Sequence, residues 1–136
     1  MPFTFQVVLP LDPRLLPKTR QAIAGYLEDL VPSGDTLDDV VLAVGEACAN
    51  VLRHAFPDGD GEYRVRAEVD GAEVRIAVED DGVGLDPAAL ERGWVDAEAT
   101  SGRGLRIIRE VMSSVDVAPV AESGGTRLFM RKTLAG

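Results

Sequence analysis

The 136 residues are 46% hydrophobic and 27% charged, and 14 Lys and Arg against 23 Asp and Glu leave a net charge of −9. A chain of this length buries roughly two thirds of its unfolded surface, enough for one apolar core without staples, and a lone cysteine, Cys48, with a lone histidine, His54, excludes an intrachain disulfide and a structural zinc site. The acidic pI near 4.5 argues against a nucleic-acid binder, and no apolar run or leader-like N-terminus points to a membrane, so the expectation is one soluble, cytoplasmic domain over residues 1–136.

Phe3 to Leu9 alternates as an opening strand. Leu16, Ala22, Ile23, Tyr26, Leu27, Leu30 and Val31 recur at helical spacing over about 14–31, with Pro17 in the first turn and Pro32-Ser33-Gly34 as the stop. Thr36 suits the N-cap of a second helix running to about Ala55, with an apolar stripe of Leu37, Val41, Val44, Cys48 and Val51. After the loop 57–61, Tyr63, Val65, Ala67 and Val69 alternate as a strand, Asp70-Gly71 reads as a two-residue hairpin turn, and Val74, Ile76 and Val78 give the returning strand. Residues 85–101 carry no persistent period and read as a lid or long loop. Gly102-Arg103-Gly104 opens a third helix with Leu105, Ile108, Val111 and Met112 on one face, and residues 115–120 and 127–134 form a final strand pair. The order β-α-α-β-β-lid-α-β-β implies an α+β fold: a two-layer sandwich with a mixed, mostly antiparallel sheet and helices on one face.

Four polar features stand out against this frame. Glu46 and Asn50 lie one turn apart, off the apolar stripe. A carboxylate there suits a general base and a carboxamide oxygen suits a hard cation such as Mg²⁺, although a solvated helix face accounts for the same pair. Asp80-Asp81-Gly82-Val83-Gly84 follows a buried strand; a carboxylate at that strand end can accept from the amine of adenine, and the glycines allow close approach of a flat ligand. An acidic turn is the alternative. Gly102-Arg103-Gly104-Leu105 sits at a helix N-terminus, where free amides suit phosphate oxygens. Gly124-Gly125-Thr126, taken alone, is a hairpin turn.

Taken in order, Glu46-x-x-x-Asn50, Asp80-x-Gly82-x-Gly84, Gly102-x-Gly104 and Gly124-Gly125-Thr126 resemble the N, G1, G2 and G3 boxes of the Bergerat (GHKL) ATP-binding fold, over about residues 5–133. The stretch 46–56 is most similar to the stand-alone branch of bacterial anti-sigma factor serine/threonine kinases. The resemblance implies ATP and Mg²⁺ as cofactors, Glu46 as catalytic base and Asn50 as Mg²⁺ ligand. It implies Asp80 on the adenine amine with Thr126 in support, and Gly82 and Gly84 under the base. Gly102, Arg103, Gly104 and Leu105 would contact phosphates. It implies as partners a sigma factor and an anti-anti-sigma protein of STAS type whose serine is phosphorylated, and a homodimer.

Other features are weighed and set aside. His54 continues the Glu46–Asn50 line but reads as orienting the helix end, Cys48 reads as a buried inert thiol, and Trp94 and Val95 suit either lid closure or packing. Residues 58–62 hint at a calcium loop, but Tyr63 stands where glycine is needed. Residues 86–100 sum to −3 while 101–114 sum to +2, so the phosphate end of the lid is locally basic in an acidic chain. The competing function is a nucleotide-gated binding module that sequesters a partner without phosphotransfer.

Overall fold

Five strands form one sheet in the order β1-β2-β3-β5-β4: β1 is Phe3–Pro10, β2 Glu62–Val69, β3 Glu73–Asp80, β4 Ser114–Pro119 and β5 Thr126–Thr133. In this computed structural model the described residues are 3–32, 34–54, 61–80, 103–119 and 126–134, with side chains described for 5–32, 34–52, 61–80, 106–118 and 127–134. The sheet is antiparallel at all four of its pairings, where the sequence reading left room for a mixed one. Among the described residues the helices are α1 (Leu16–Glu28), entered through a 3-10 turn at Pro13–Leu15, α2 (Asp35–His54) and α3 (Arg103–Val111). Among the described residues no helix is long and apolar enough to cross a membrane.

The strand pattern decides which face the helices cover. On β2, Tyr63, Val65, Ala67 and Val69 are buried while Arg64, Arg66 and Glu68 are not, and Val74, Ile76 and Val78 of β3 continue the buried face. That face meets Ile23 and Leu27 of α1, Val40, Val44, Ala47 and Val51 of α2, and Ile108 and Met112 in one core. The buried stripe of α2 differs from the one expected: Val40, Ala43 and Ala47 are inside, whereas Leu37 and Val41 are only half-buried. Alanines at 43 and 47 let neighbouring elements approach closely enough to cover them, so the small residues mark the contact better than the large ones.

Two turns differ from expectation for local reasons. Helix α2 begins at Asp35, so Thr36 is inside its first turn and is not the cap. Gly34, at φ 113°, takes that place, and its carbonyl accepts from the Asp38 amide at 3.0 Å. In the β2–β3 hairpin the turn spans Asp70–Glu73, with the Asp70 amide donating to the Glu73 carbonyl at 3.1 Å. The Asp70 carboxylate accepts from the amides of Ala72 (2.8 Å) and Glu73 (3.0 Å), so a side chain holds the turn and Gly71 needs no positive φ.

The uncovered sheet face is polar. Its feature nearest the candidate site is Glu79, 4% exposed, which holds Arg66 at 2.7 Å, Arg127 at 3.1 Å and Arg64 at 3.5 Å. Burial pushes the Glu79 carboxyl up, but Arg66 and Arg127 outweigh it and leave it below the usual carboxylate range. One carboxylate thus ties β2, β3 and β5 together one residue before Asp80.

Candidate nucleotide site

Helix α2 carries Asp39, Ala43, Glu46 and Asn50 at i, i+4, i+7 and i+11, which puts them on one face. Ala43 is fully buried, and α2 packs more extensively on α3 than on any other element. Asp39, at the start of the stripe, pairs with Lys132 at 3.3 Å, and the same ammonium donates to the carbonyl of Val111, the last residue of α3. The end of α3 therefore sits beside the beginning of α2, and the two helices run antiparallel. From Val111 back to Arg103 is about 12 Å at 1.5 Å per residue, and the same rise along α2 from Asp39 ends near residue 47. The N-terminus of α3, with Arg103, Gly104 and Leu105 in its first turn, is thereby level with Glu46 and Asn50. The basic G2 segment and the polar pair share one end of the molecule.

Asp80 reaches that end by a different route. It closes β3 with the parity of Val74, Ile76 and Val78, so it belongs to the helix-covered face, and it is 7% exposed. Its register partners are Tyr63 on β2 and Thr126 on β5, the two strands that flank β3. Tyr63 is buried in the same core as Cys48, which lies between Glu46 and Asn50 in sequence. The strand end bearing Asp80 and the middle of the Glu46–Asn50 segment thus border one core.

Of the expected site residues, Glu46 and Asn50 are half-buried on the Asp39–Ala43 stripe of α2, Asp80 is buried at the strand end, Thr126 is its neighbour in register, and Arg103, Gly104 and Leu105 open α3. Gly82, Gly84, Gly102, the 85–101 lid, and Gly124 and Gly125 lie outside the described residues, as does the side chain of His54. Among the described residues no three His, Cys, Asp or Glu side chains gather as a metal cage. One amide oxygen and one carboxylate a turn apart suit Mg²⁺, which keeps several waters and takes further oxygens from phosphate. The donor set therefore fits a nucleotide-borne Mg²⁺ and not a protein-caged ion.

Residues the sequence did not single out also border this region. Arg20, Ala24 and Glu28 of α1 and Leu37, Asp38, Val41, Leu42 and Glu46 of α2 line a groove of about 480 Å³. The Arg20 guanidinium lies across Gly45, so close that a Cβ there would meet Nε and come within 3.2 Å of Cζ. A glycine inside a 20-residue helix, beside a candidate base, was the available signal: it costs about 1 kcal/mol against alanine unless something needs the space.

Comparison with known proteins finds relatives over most of the chain. Residues 9–132 match the model of the Histidine kinase-like ATPase domain. The anti-sigma F factor of Clostridium beijerinckii is 33% identical over 120 residues, covering 83% of this chain and 82% of that protein. The anti-sigma F factor of Clostridium kluyveri (strain NBRC 12016) is 31% identical over 117 residues, with 83% and 82% covered. Serine-protein kinase RsbW of Bacillus velezensis is 29% identical over 140 residues, with 96% and 86% covered. In fold, the chain is similar to the RsbU and RsbW domains of Rv1364c from Mycobacterium tuberculosis, with TM-score 0.71 at 19% identity, covering 97% of this chain and 32% of that one. It is also similar to a chain of the SiaB-SiaC complex from Pseudomonas aeruginosa, with TM-score 0.65 at 18% identity, covering 96% and 89%. With a family model matched over residues 9–132, the chain belongs to the Histidine kinase-like ATPase domain family.

Proposed function

We propose that this protein is an ATP- and Mg²⁺-dependent anti-sigma factor serine/threonine protein kinase, which phosphorylates a serine of a STAS-type anti-anti-sigma partner and sequesters a sigma factor. In this reading residues 1–136 form one cytoplasmic kinase domain with a lid over about 85–101, acting as a homodimer. The observation that carries it is that Lys132 meets both Asp39 near the start of α2 and the carbonyl of Val111 at the end of α3, so the two packed helices run antiparallel and the start of α3 falls toward the Glu46–Asn50 part of α2. The names of the relatives, anti-sigma F factor and serine-protein kinase, support the same class.

Asp80 accepts from the exocyclic amine of adenine, over a floor of Gly82 and Gly84 and beside Thr126. The amides of Gly102, Arg103, Gly104 and Leu105 and the positive end of the α3 dipole hold phosphate oxygens. Asn50 presents its amide oxygen to Mg²⁺, which when bound neutralises charge on the transferring phosphoryl group. Glu46 takes the proton from the acceptor serine hydroxyl, and its opening onto the α1–α2 groove offers the acceptor segment a way in.

Incubation with ATP, Mg²⁺ and a matched anti-anti-sigma protein is expected to yield phosphoserine, and Glu46→Gln to slow transfer by about 10²–10⁴-fold with nucleotide affinity retained. Nucleotide binding without phosphate transfer to any such partner would refute the kinase reading and leave a nucleotide-gated binding module.

A further inference from the structure

The helix-covered face of β5 carries Leu128 and Met130, both buried, and then Lys132, whose side chain is only 21% exposed. A charge drawn this far from water into an otherwise apolar row needs partners. It has two, on two different helices. The ammonium donates to the carbonyl of Val111, the last residue of α3, and pairs with the Asp39 carboxylate near the start of α2 at 3.3 Å. The last carbonyls of a helix have no donor within the helix and bear the negative end of its dipole, so a cation at Val111 is favourable on both counts. The residues flanking Lys132 grip the same end of α3. The Ser113 amide donates to the Arg131 carbonyl at 2.8 Å, and the Ser113 hydroxyl accepts from the Thr133 amide at 2.9 Å. Three consecutive residues of β5 thus hold the exit of α3, and the middle one extends the hold to α2.

This clamp does something that apolar packing does not. Ala43, Val44 and Ala47 of α2 and Ile108 of α3 are buried in one core, and such contacts are non-directional: they fix the spacing of two helices better than the place of one along the other. A hydrogen bond to a helix-end carbonyl shared with an ion pair is directional and does fix it. From the clamped end α3 runs back about 12 Å toward the Glu46–Asn50 part of α2. A slip or tilt at the clamp is therefore delivered to the opposite end of α3, where Arg103, Gly104 and Leu105 would meet phosphate.

We propose that Lys132 is a positioning residue for phosphate binding: by joining the last carbonyl of α3 to Asp39 of α2, it sets where the N-terminus of α3 stands relative to Asn50. The proposal rests on the ATP- and Mg²⁺-binding reading above and adds to it a residue that acts from the far end of the helix.

The test measures affinity for adenosine and for a non-hydrolysable ATP analogue with Mg²⁺, on the full-length wild type, Lys132→Met and Asp39→Ala, with the melting temperature of each. The ratio of the two affinities isolates what the phosphates contribute. It is expected to fall about 3–10-fold in both variants, the size of the attraction between an anion and a helix N-terminus, which fades within one turn. Adenosine affinity is expected to stay within about twofold of wild type, because Asp80 is carried by β3. The pair of variants separates position from long-range charge, since deleting a cation weakens polyphosphate binding and deleting an anion strengthens it. Opposite shifts, or a fall in Lys132→Met alone, would overturn the proposal. A lowered melting temperature with an unchanged ratio would reduce Lys132 to a structural ion pair and overturn it too. If Lys132→Met does not fold, Asp39→Ala decides: a fallen ratio sustains the proposal, and one at or above the wild-type value overturns it. A wild type that binds the analogue no more tightly than adenosine refutes the ATP reading itself and the proposal with it, and is recognised before any variant is compared.

Discussion

Replacing Gly45 by alanine separates the stability of α2 from the arrangement beside Glu46. The added Cβ would collide with the Arg20 Nε and stand 3.2 Å from Cζ and Nη2, so the guanidinium must leave its place across the helix. Arg20 is exposed, and the clash is with the end of a flexible side chain, so the displacement costs little backbone adjustment. Against it stands the helix-interior gain of alanine over glycine, about 1 kcal/mol. For a chain of 136 residues that converts to a rise of about 3–4 °C in melting temperature. Phosphotransfer to a protein acceptor is expected to fall several-fold, because the cation bordering the groove is moved, while affinity for the ATP analogue stays within about twofold. Differential scanning calorimetry and a transfer assay on the same preparation check both. A drop in melting temperature would show that Arg20 cannot give way, and an unchanged transfer rate would show that its placement beside Glu46 is without consequence.

Asp80→Asn is expected to weaken binding of the ATP analogue by about 10–100-fold, as a hydrogen bond to a charged acceptor is lost, and to narrow the preference over the guanine analogue in a competition titration. At the acid end, the depressed carboxyl of Glu79 contributes stability that is present above its unfolded value of 4.5 and is lost as pH falls through the folded value. Glu79→Gln should flatten that limb in urea titrations between about pH 5 and 3, where one group accounts for at most about 1.4 kcal/mol per pH unit. At the alkaline end the sign reverses. Cys48 ionises at 9.0 in the unfolded chain but only at about 12 when folded, so the unfolded state holds fewer protons and stability falls as pH rises above about 9. Cys48→Ala should remove part of that alkaline loss, seen as a smaller difference in urea midpoint between pH 8 and 10.5.

The elements and their order were readable because their signals are local: alternation on β2, the 3.6-residue period of α2, glycines at the start of α3. Where two local signals competed, the backbone decided. Thr36 is a good cap by side-chain chemistry, but only Gly34 could take the positive φ that joins α1 to α2, and it moved the helix start back by two residues. Asp70-Gly71 carried a hairpin signal, but the Asp70 carboxylate organised the turn one residue further on. For the site, Glu46, Asn50 and Asp80 were visible as residues, because carboxylates and amides interrupt apolar patterns. What brings them to one end was not visible. It depends on Lys132 meeting both Asp39 and Val111, and on Tyr63 and Cys48 being buried in one core, which join residues far apart in the chain. Tyr63 carried a faint mark, a polar head in an otherwise apolar row.

The strand order has a bearing on when this protein becomes competent. Strand β5 leaves the ribosome after β4, yet it must insert between β3 and β4, and only then does Asp80 acquire its rung with Thr126. Until that moment the β3 edge bearing Asp80 is an open strand, and Glu79 has Arg64 and Arg66 but not Arg127. A nascent chain stalled before β5, or one clipped there by a protease, would carry both polar helices and still lack a finished pocket. Because a ligand stabilises only the state that binds it, nucleotide capture would mark the completed chain and withhold protection from the unfinished one.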